Sequence, residues 1–113
     1  MSPFVFDKAS ILERLGGDEE IFVMMVDMFL QDVDRNCQSL REALGDEAAV
    51  LQREAHTIKA LLATFSDNAG AELAQTLELR AKTGELADAP ARVDVLLARV
   101  AEVADVLRRL SVG

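Results

Sequence analysis

The sequence predicts an all-α protein, an antiparallel up-down four-helix bundle with a short N-terminal helix capping one end. Three observations predict it. Apolar residues recur at alternating steps of three and four along the long segments, the spacing of a buried helical stripe. Half of the 113 residues are hydrophobic, Ala, Leu and Val dominate, and there is no Trp or Tyr and only two prolines, a balance that favours helix over sheet. Short acids and glycines fall between the periodic segments where caps and stops belong. Long helices joined by loops of a few residues must run antiparallel to their neighbours.

Taken in order, five helices are expected, over about 8–15, 19–44, 47–65, 68–83 and 89–110. Asp7 is placed to cap the first, which Gly16 ends. Asp18 caps the second, with Glu19 and Glu20 at its positive end, and Gly45 stops it. Its main apolar side reads as Ile21, Met25, Met28, Phe29, Leu40 and Leu44, with the register loosening from Asp32 to Asn36 into a bend or a polar face. Asp46 is placed to cap the central helix, whose stripe is Ala48, Leu51, Ala55, Ile58, Leu62 and Phe65. Ser66 or Asp67 opens the fourth helix, in which Leu73, Leu77 and Ala81 face inward and Gly84 terminates. Asp88, with Pro90 in the first turn, starts the last helix, which carries Val93, Leu96, Leu97, Val100, Val103, Val106, Leu107 and Leu110. Its valines alone are compatible with a strand, but the three-four spacing and the length decide for helix.

Residues 1–113 read as a single domain, long enough for its own core. The net charge of −8 argues against nucleic acid and anionic membrane, which call for a basic field. A protein partner is the expectation, with the chain itself monomeric. One cysteine, Cys37, cannot form an internal disulfide, and no cluster of Cys, His and carboxylates has metal-ligand spacing. There is no apolar run of the roughly 18 residues that a membrane span takes, and no signal-peptide pattern. The expected location is the cytoplasm. The short length and the start at Met1-Ser2-Pro3 fit a free-standing protein and a domain of a larger polypeptide alike.

The only histidine, His56, lies roughly 140° from the middle of the central helix's apolar stripe. It therefore points to solvent. Lys59 and Ala60 follow it one turn on, and Ala63 extends the same row by another turn. Arg53, one turn before, adds a second cation in an acidic chain. A lone histidine on a solvent face is usually unremarkable, and Lys59 by itself is an ordinary solubilising residue, paired with Glu54 or Glu78. Together they make a nucleophile-sized group beside two cations and two small residues. An imidazole with an ordinary titration range is mostly neutral near pH 7 and has a ring nitrogen free to attack phosphorus. Positioning and charge neutralisation are most of what phosphoryl transfer asks of a protein.

The run Ala55-His56-Thr57-Ile58-Lys59-Ala60 resembles the motif of histidine-phosphotransfer (HPt) domains, usually Ala-His-x-Leu-Lys-Gly. Phe6-Asp7 with the stretch from Leu12 to Glu20 resembles their N-terminal segment, and Thr64-Phe65-Ser66 resembles the Asn-Phe-Gly that closes their central helix. Two positions depart from the pattern, Ala60 and Ser66 standing where glycine is usual. Alanine is still small, leaving a less roomy approach, and Ser66 is able to cap the following helix in place of a glycine turn.

The resemblance implies a phosphocarrier of a two-component phosphorelay, without an ATP site of its own, free-standing or part of a hybrid histidine kinase. His56 would accept a phosphoryl group from one receiver-domain aspartate and return it to another, the receiver supplying Mg²⁺. Lys59 would neutralise phosphoryl oxygens. Glu78, at the position where such domains often carry Glu or Gln, would hold the second ring nitrogen of His56. Ala60 and Ala63 would leave room for the partner's aspartyl phosphate, and Arg53 would line the same contact. Met24, Met25, Met28 and Phe29 crowd one stretch of the second helix beyond what one stripe buries; with Ile11 and Leu15 they form a docking patch for receivers, or else pack under the first helix. Two other readings stay open. One is an interaction module that binds a receiver or kinase without transfer, to which Ala60 gives weight. The other is an oligomerisation scaffold with an accidental histidine, against which the last helix's apolar set is already wide enough to close a monomeric bundle.

Overall fold

Among the described residues, aspartate caps and left-handed turns mark most of the boundaries between five helices. The computed structural model describes residues 2–112, with the side chains of residues 2–110. Among the described residues all regular structure is α-helical: α1 Lys8–Arg14, α2 Glu19–Ala43, α3 Ala48–Thr64, α4 Asn68–Thr83 and α5 Ala89–Val112. Asp7 and Asp18 accept the N–H groups of Ser10 and Ile21, each at 3.1 Å, satisfying donors that a first turn leaves free. Gly16 (φ 70°) ends the turn after α1, and Gly84 (φ 79°) closes α4 in the left-handed conformation, where a Cβ would be strained.

One cap differs from expectation. α3 starts from Glu47, whose side chain makes no capping bond. Asp46 instead accepts the adjacent Glu47 N–H at 2.7 Å, so its carboxylate is used up one residue too early to reach the first turn. At α4, for which Ser66 and Asp67 were both candidates, Ser66 does not cap. Asp67 does, accepting the Gly70 N–H at 3.1 Å, while Ser66 takes the left-handed turn itself at φ 62°, at a cost of about 1–2 kcal/mol for an L residue. Arg14 Nη2 holds that turn from α1, donating to Ser66 Oγ at 2.8 Å and to Thr64 O at 2.9 Å.

The buried stripe of α2 is Phe22, Val26, Phe29, Val33, Leu40 and Ala43, with half-buried Cys37 bridging the gap. Ile21, Met28 and Leu44, expected inside, are exposed. The register is one step off because residues 21–30 are apolar on almost every side, and a run of that kind has no face of its own until a neighbour chooses one. Val33 and Cys37 carry the stripe through the stretch where the register seemed to loosen, so α2 is continuous and merely polar outside there. Phe29 is fixed by Phe65 at the end of α3, ring centroids 5.3 Å apart and edge to face, a geometry favoured by ring quadrupoles. The stripe of α3 is Leu51, Ala55, Ile58 and Leu62, continued by Phe65. In α5 Val93, Leu96, Val100, Val103 and Leu107 are buried, but Leu110 is exposed.

The inner face of α4 is Gly70, Ala74, Leu77 and Ala81, with Leu73 only half-buried. Three of those four residues are small, so the backbone of α4 approaches closely, and α3 and α4 form the most extensive helix pair. α2 packs on α3 and α5, α4 packs on α5, and α1 rests on α2. That pairing of α3 with α4 sets the distance across which the histidine finds a partner.

Candidate functional site

His56 stands on the outer side of α3, its side chain 62% exposed. Ala55, its neighbour in sequence, is buried at 0% and Ile58 at 1%, so the apolar stripe fixes which way the imidazole must face. Nδ1 lies 2.8 Å from Glu78 Oε2, across the α3–α4 pair. An ionised carboxylate only accepts, so Nδ1 carries the proton and donates. In the neutral ring Nε2 then keeps its lone pair, on a side chain that is largely exposed.

The other oxygen of Glu78 is also taken. Lys59 Nζ donates to Oε1 at 2.8 Å, with the Lys59 side chain 27% exposed. One carboxylate thus ties together two α3 side chains a turn apart. Partial burial pushes the Glu78 carboxyl up, but the hydrogen bonds and charges of Lys59 and His56 outweigh it, and the carboxyl lies below its ordinary range. Glu78 is anionic near neutral pH. Lys59 is therefore not a loose solubilising side chain but a cation parked beside the ring.

Ala60 and Ala63 are exposed, continuing the row beyond His56. Arg53 is exposed too, and its guanidinium turns to Glu54 at 3.4 Å rather than toward the imidazole. Leu15 and Met25 are each half-buried. Ile11, expected in the same patch, is buried at 1% and belongs to the core, as does Phe29 at 3%. The most exposed apolar side chains of this stretch are Met24, Met28 and Val23. A shallow apolar groove of about 190 Å³ runs between α2 and α3, lined by Met25, Met28, Leu61 and Thr64 among others. Thr64 sits one turn after Ala60, its hydroxyl donating to Ala60 O at 2.9 Å, so the groove adjoins the row. Leu61 carries no mark in the sequence that sets it apart from other helix residues, Thr64 is marked only as the start of the Thr64-Phe65-Ser66 run, and the packing of α2 brings both to this face.

A reactive nitrogen with its tautomer fixed, a cation one turn away and small residues beyond make a surface suited to phosphoryl chemistry with a large partner. The Hpt domain family model matches residues 24–108, most of the chain. The chain belongs to the Hpt domain family. Among solved structures this Hpt domain is similar to the crystal structure of histidine-containing phosphotransfer protein B (HptB) from Pseudomonas aeruginosa PAO1, with a TM-score of 0.81 and 25% identity over 92% of this chain and 91% of that one. No curated protein sequence matches. Among the described residues no group of His, Cys, Asp and Glu is arranged to hold a metal ion, and no helix is long and apolar enough to cross a membrane.

Proposed function

We propose that this Hpt domain carries a phosphoryl group between receiver-domain aspartates on Nε2 of His56. The hydrogen bond from Nδ1 to Glu78 is the observation that carries the reading, because it fixes the one tautomer whose Nε2 is a nucleophile. In the accepting step the Nε2 lone pair forms the N–P bond. The P–O bond to the receiver's aspartate breaks and its electron pair leaves with the carboxylate. The Nδ1 proton stays, so the ring becomes an imidazolium facing Glu78. Lys59 turns toward the phosphoryl oxygens as charge shifts among them, and the protein's contribution is positioning and electrostatics throughout.

Ala60 and Ala63 leave space beside the ring for the in-line approach of the partner's aspartyl phosphate. The receiver docks on the face of α2 and α3, with Met25 and Leu15 at its half-buried floor and Met24 and Met28 as its exposed, easily repacked rim. Arg53 lies at the edge of that contact. The partners are receiver domains and a hybrid sensor kinase, with Mg²⁺ and most of the catalytic groups supplied by the receiver. The chain acts as a carrier without an ATP site, as a monomeric cytoplasmic domain spanning residues 1–113, free-standing or within a larger kinase. Its four long helices form an up-down antiparallel bundle. Their connections are of three to five residues, and the 42 Å long axis is close to the roughly 37 Å of a 25-residue helix.

The test is to mix the purified chain with a phosphorylated receiver and Mg²⁺. The wild type should acquire acid-labile, base-stable label, and His56→Gln should acquire none. Binding without labelling in the wild type would leave an interaction module in place of a carrier.

A further inference from the structure

A hydrogen bond to Nδ1 needs only an acceptor, and an amide oxygen would orient the ring as well as a carboxylate does. Glu78 supplies a charge besides, and that charge matters most once phosphorus is on the ring. We propose that Glu78 is a positioning residue that acts through its charge, keeping the Nδ1 proton on phosphorylated His56 and so setting the alkaline limit of onward transfer to a receiver. The proposal rests on the phosphocarrier reading above and adds to it a direction-dependent control.

The chemistry follows from the balance of the return step. The N–P bond breaks, its electron pair goes back to Nε2, and a P–O bond forms to the acceptor aspartate. If Nδ1 has kept its proton, the leaving group is a neutral imidazole. If the proton has gone to water, the leaving group is an imidazolate, which departs far less readily. Acceptance places no such demand, since a neutral imidazole with a free Nε2 is what attacks. A device that holds the Nδ1 proton therefore favours the return step at high pH in particular.

The geometry fits this role. Glu78 is 17% exposed beside a largely exposed ring, and its charge acts on Nδ1 at hydrogen-bond range, with Oε2 2.8 Å away. The charges that bear on the carboxylate are those of Lys59 and His56, both from α3. Lys59 opposes the effect while it sits on Oε1, but phosphoryl oxygens one turn away offer it a second anion. Arg53 of α3 is turned to Glu54. On α4 itself Arg80 is engaged with Glu85 and Asp88, and Lys82 is solvent-exposed. Among the described residues neither α2 nor α5 forms an ion pair with any of the three, so the His56–Glu78–Lys59 group is built from α3 and α4 alone.

The experiment uses the single histidine as its own probe. The ¹⁵N-labelled full chain is phosphorylated with potassium phosphoramidate, and the ring nitrogens are followed against pH by NMR. The phosphoryl group should sit on Nε2, and the midpoint for loss of the Nδ1 proton should be higher in the wild type than in Glu78→Gln by about one pH unit or more, the usual effect of one close opposite charge. Lys59→Met should move the midpoint further up. The alkaline limb of label transfer from phosphorylated His56 to a receiver should shift with each midpoint. Coincident midpoints in wild type and Glu78→Gln, or phosphoryl found on Nδ1, overturn the proposal. If Glu78→Gln does not fold, Lys59→Met decides alone, and an unmoved midpoint overturns it. A wild type that takes no label from a phosphorylated receiver removes the phosphocarrier reading instead, a result separate from the titration.

Discussion

Lys59 shares one carboxylate with His56, so removing it tests charge without removing the nucleophile. Lys59→Ala should slow transfer from a phosphorylated receiver about 10-fold to 100-fold, or about 1.4–2.7 kcal/mol in the barrier, while receiver affinity changes far less. Rapid-quench labelling and a binding titration separate the two. Glu78 also leaves a mark on stability. Its folded carboxyl lies below the ordinary value, so its contribution is complete above the unfolded value of about 4.3 and is lost as pH falls through the lowered folded one. Urea unfolding of Glu78→Gln should therefore show a shallower loss of stability on acidification from about pH 5 to pH 3 than the wild type; parallel curves would mean that the carboxylate makes no net ionic contribution to the fold.

α2 presents two apolar faces, and only one of them belongs to the core. Phe29 is buried at 3% against Phe65, whereas Met28, the residue before it, is 56% exposed. Met28→Asp should leave helicity and melting nearly unchanged, within about 0.5 kcal/mol as for most surface positions, and should weaken receiver binding severalfold. Phe29→Asp should unfold the protein, since it buries a charge with no partner. Circular dichroism and a pull-down against the same receiver distinguish the faces. If Met28→Asp binds normally, the docking contact lies elsewhere on α3. The same reasoning explains why Met25→Asp and Leu15→Asp are poor probes of docking: both side chains are half-buried, and a loss of binding would mix contact with packing.

One buried ion pair ties three parts of the chain. Arg99 of α5 donates through Nη2 and Nε to the two carboxylate oxygens of Asp67 at 2.6 and 2.8 Å, and both side chains are 2% exposed. Arg99 Nη1 also reaches Ser2 O at 2.7 Å, and Glu102 accepts the Phe4 N–H at the same distance. Asp67 thus caps α4, pairs with α5 and helps to hold the N-terminal segment. Its role as a cap locks Gly70 as well, because a Cβ there would strike the Asp67 carboxylate and Leu62. Arg99→Met should cost about 3–5 kcal/mol by leaving Asp67 buried and uncompensated, and adding Asp67→Asn should restore part of that loss, since a buried charge without its partner is worse than no pair. Equilibrium unfolding of the two single variants and the double variant closes the cycle, and additive losses would count against the pair as a coupled unit.

Helix existence and the outward face of His56 were legible in the sequence because both depend on local chemistry. Three-four apolar spacing from Leu51 to Phe65, carboxylate caps at Asp7 and Asp18, and a left-handed glycine at Gly84 are each fixed by residues within a turn or two. The motif from Ala55 to Ala60 likewise marks the reactive face without any knowledge of packing. What lay beyond the sequence was every choice made by a neighbour. The stripe of α2 was ambiguous until Phe65 and the core kept Phe29 and selected Phe22 and Val26 over Ile21 and Met28. Asp46 lost its cap to a one-residue contact, and of Ser66 and Asp67, both open as the start of α4, Asp67 took the cap while Ser66 took the strained turn. Ile11 moved from patch to core for the same reason. Glu78 was already the candidate partner of the imidazole, but its second bond to Lys59 depends on how closely the small residues of α4 let it approach α3. Arg99 read as an ordinary polar residue and Asp67 as a candidate helix cap 32 positions away, and only the folded chain, by excluding water from both, made each the other's necessary partner.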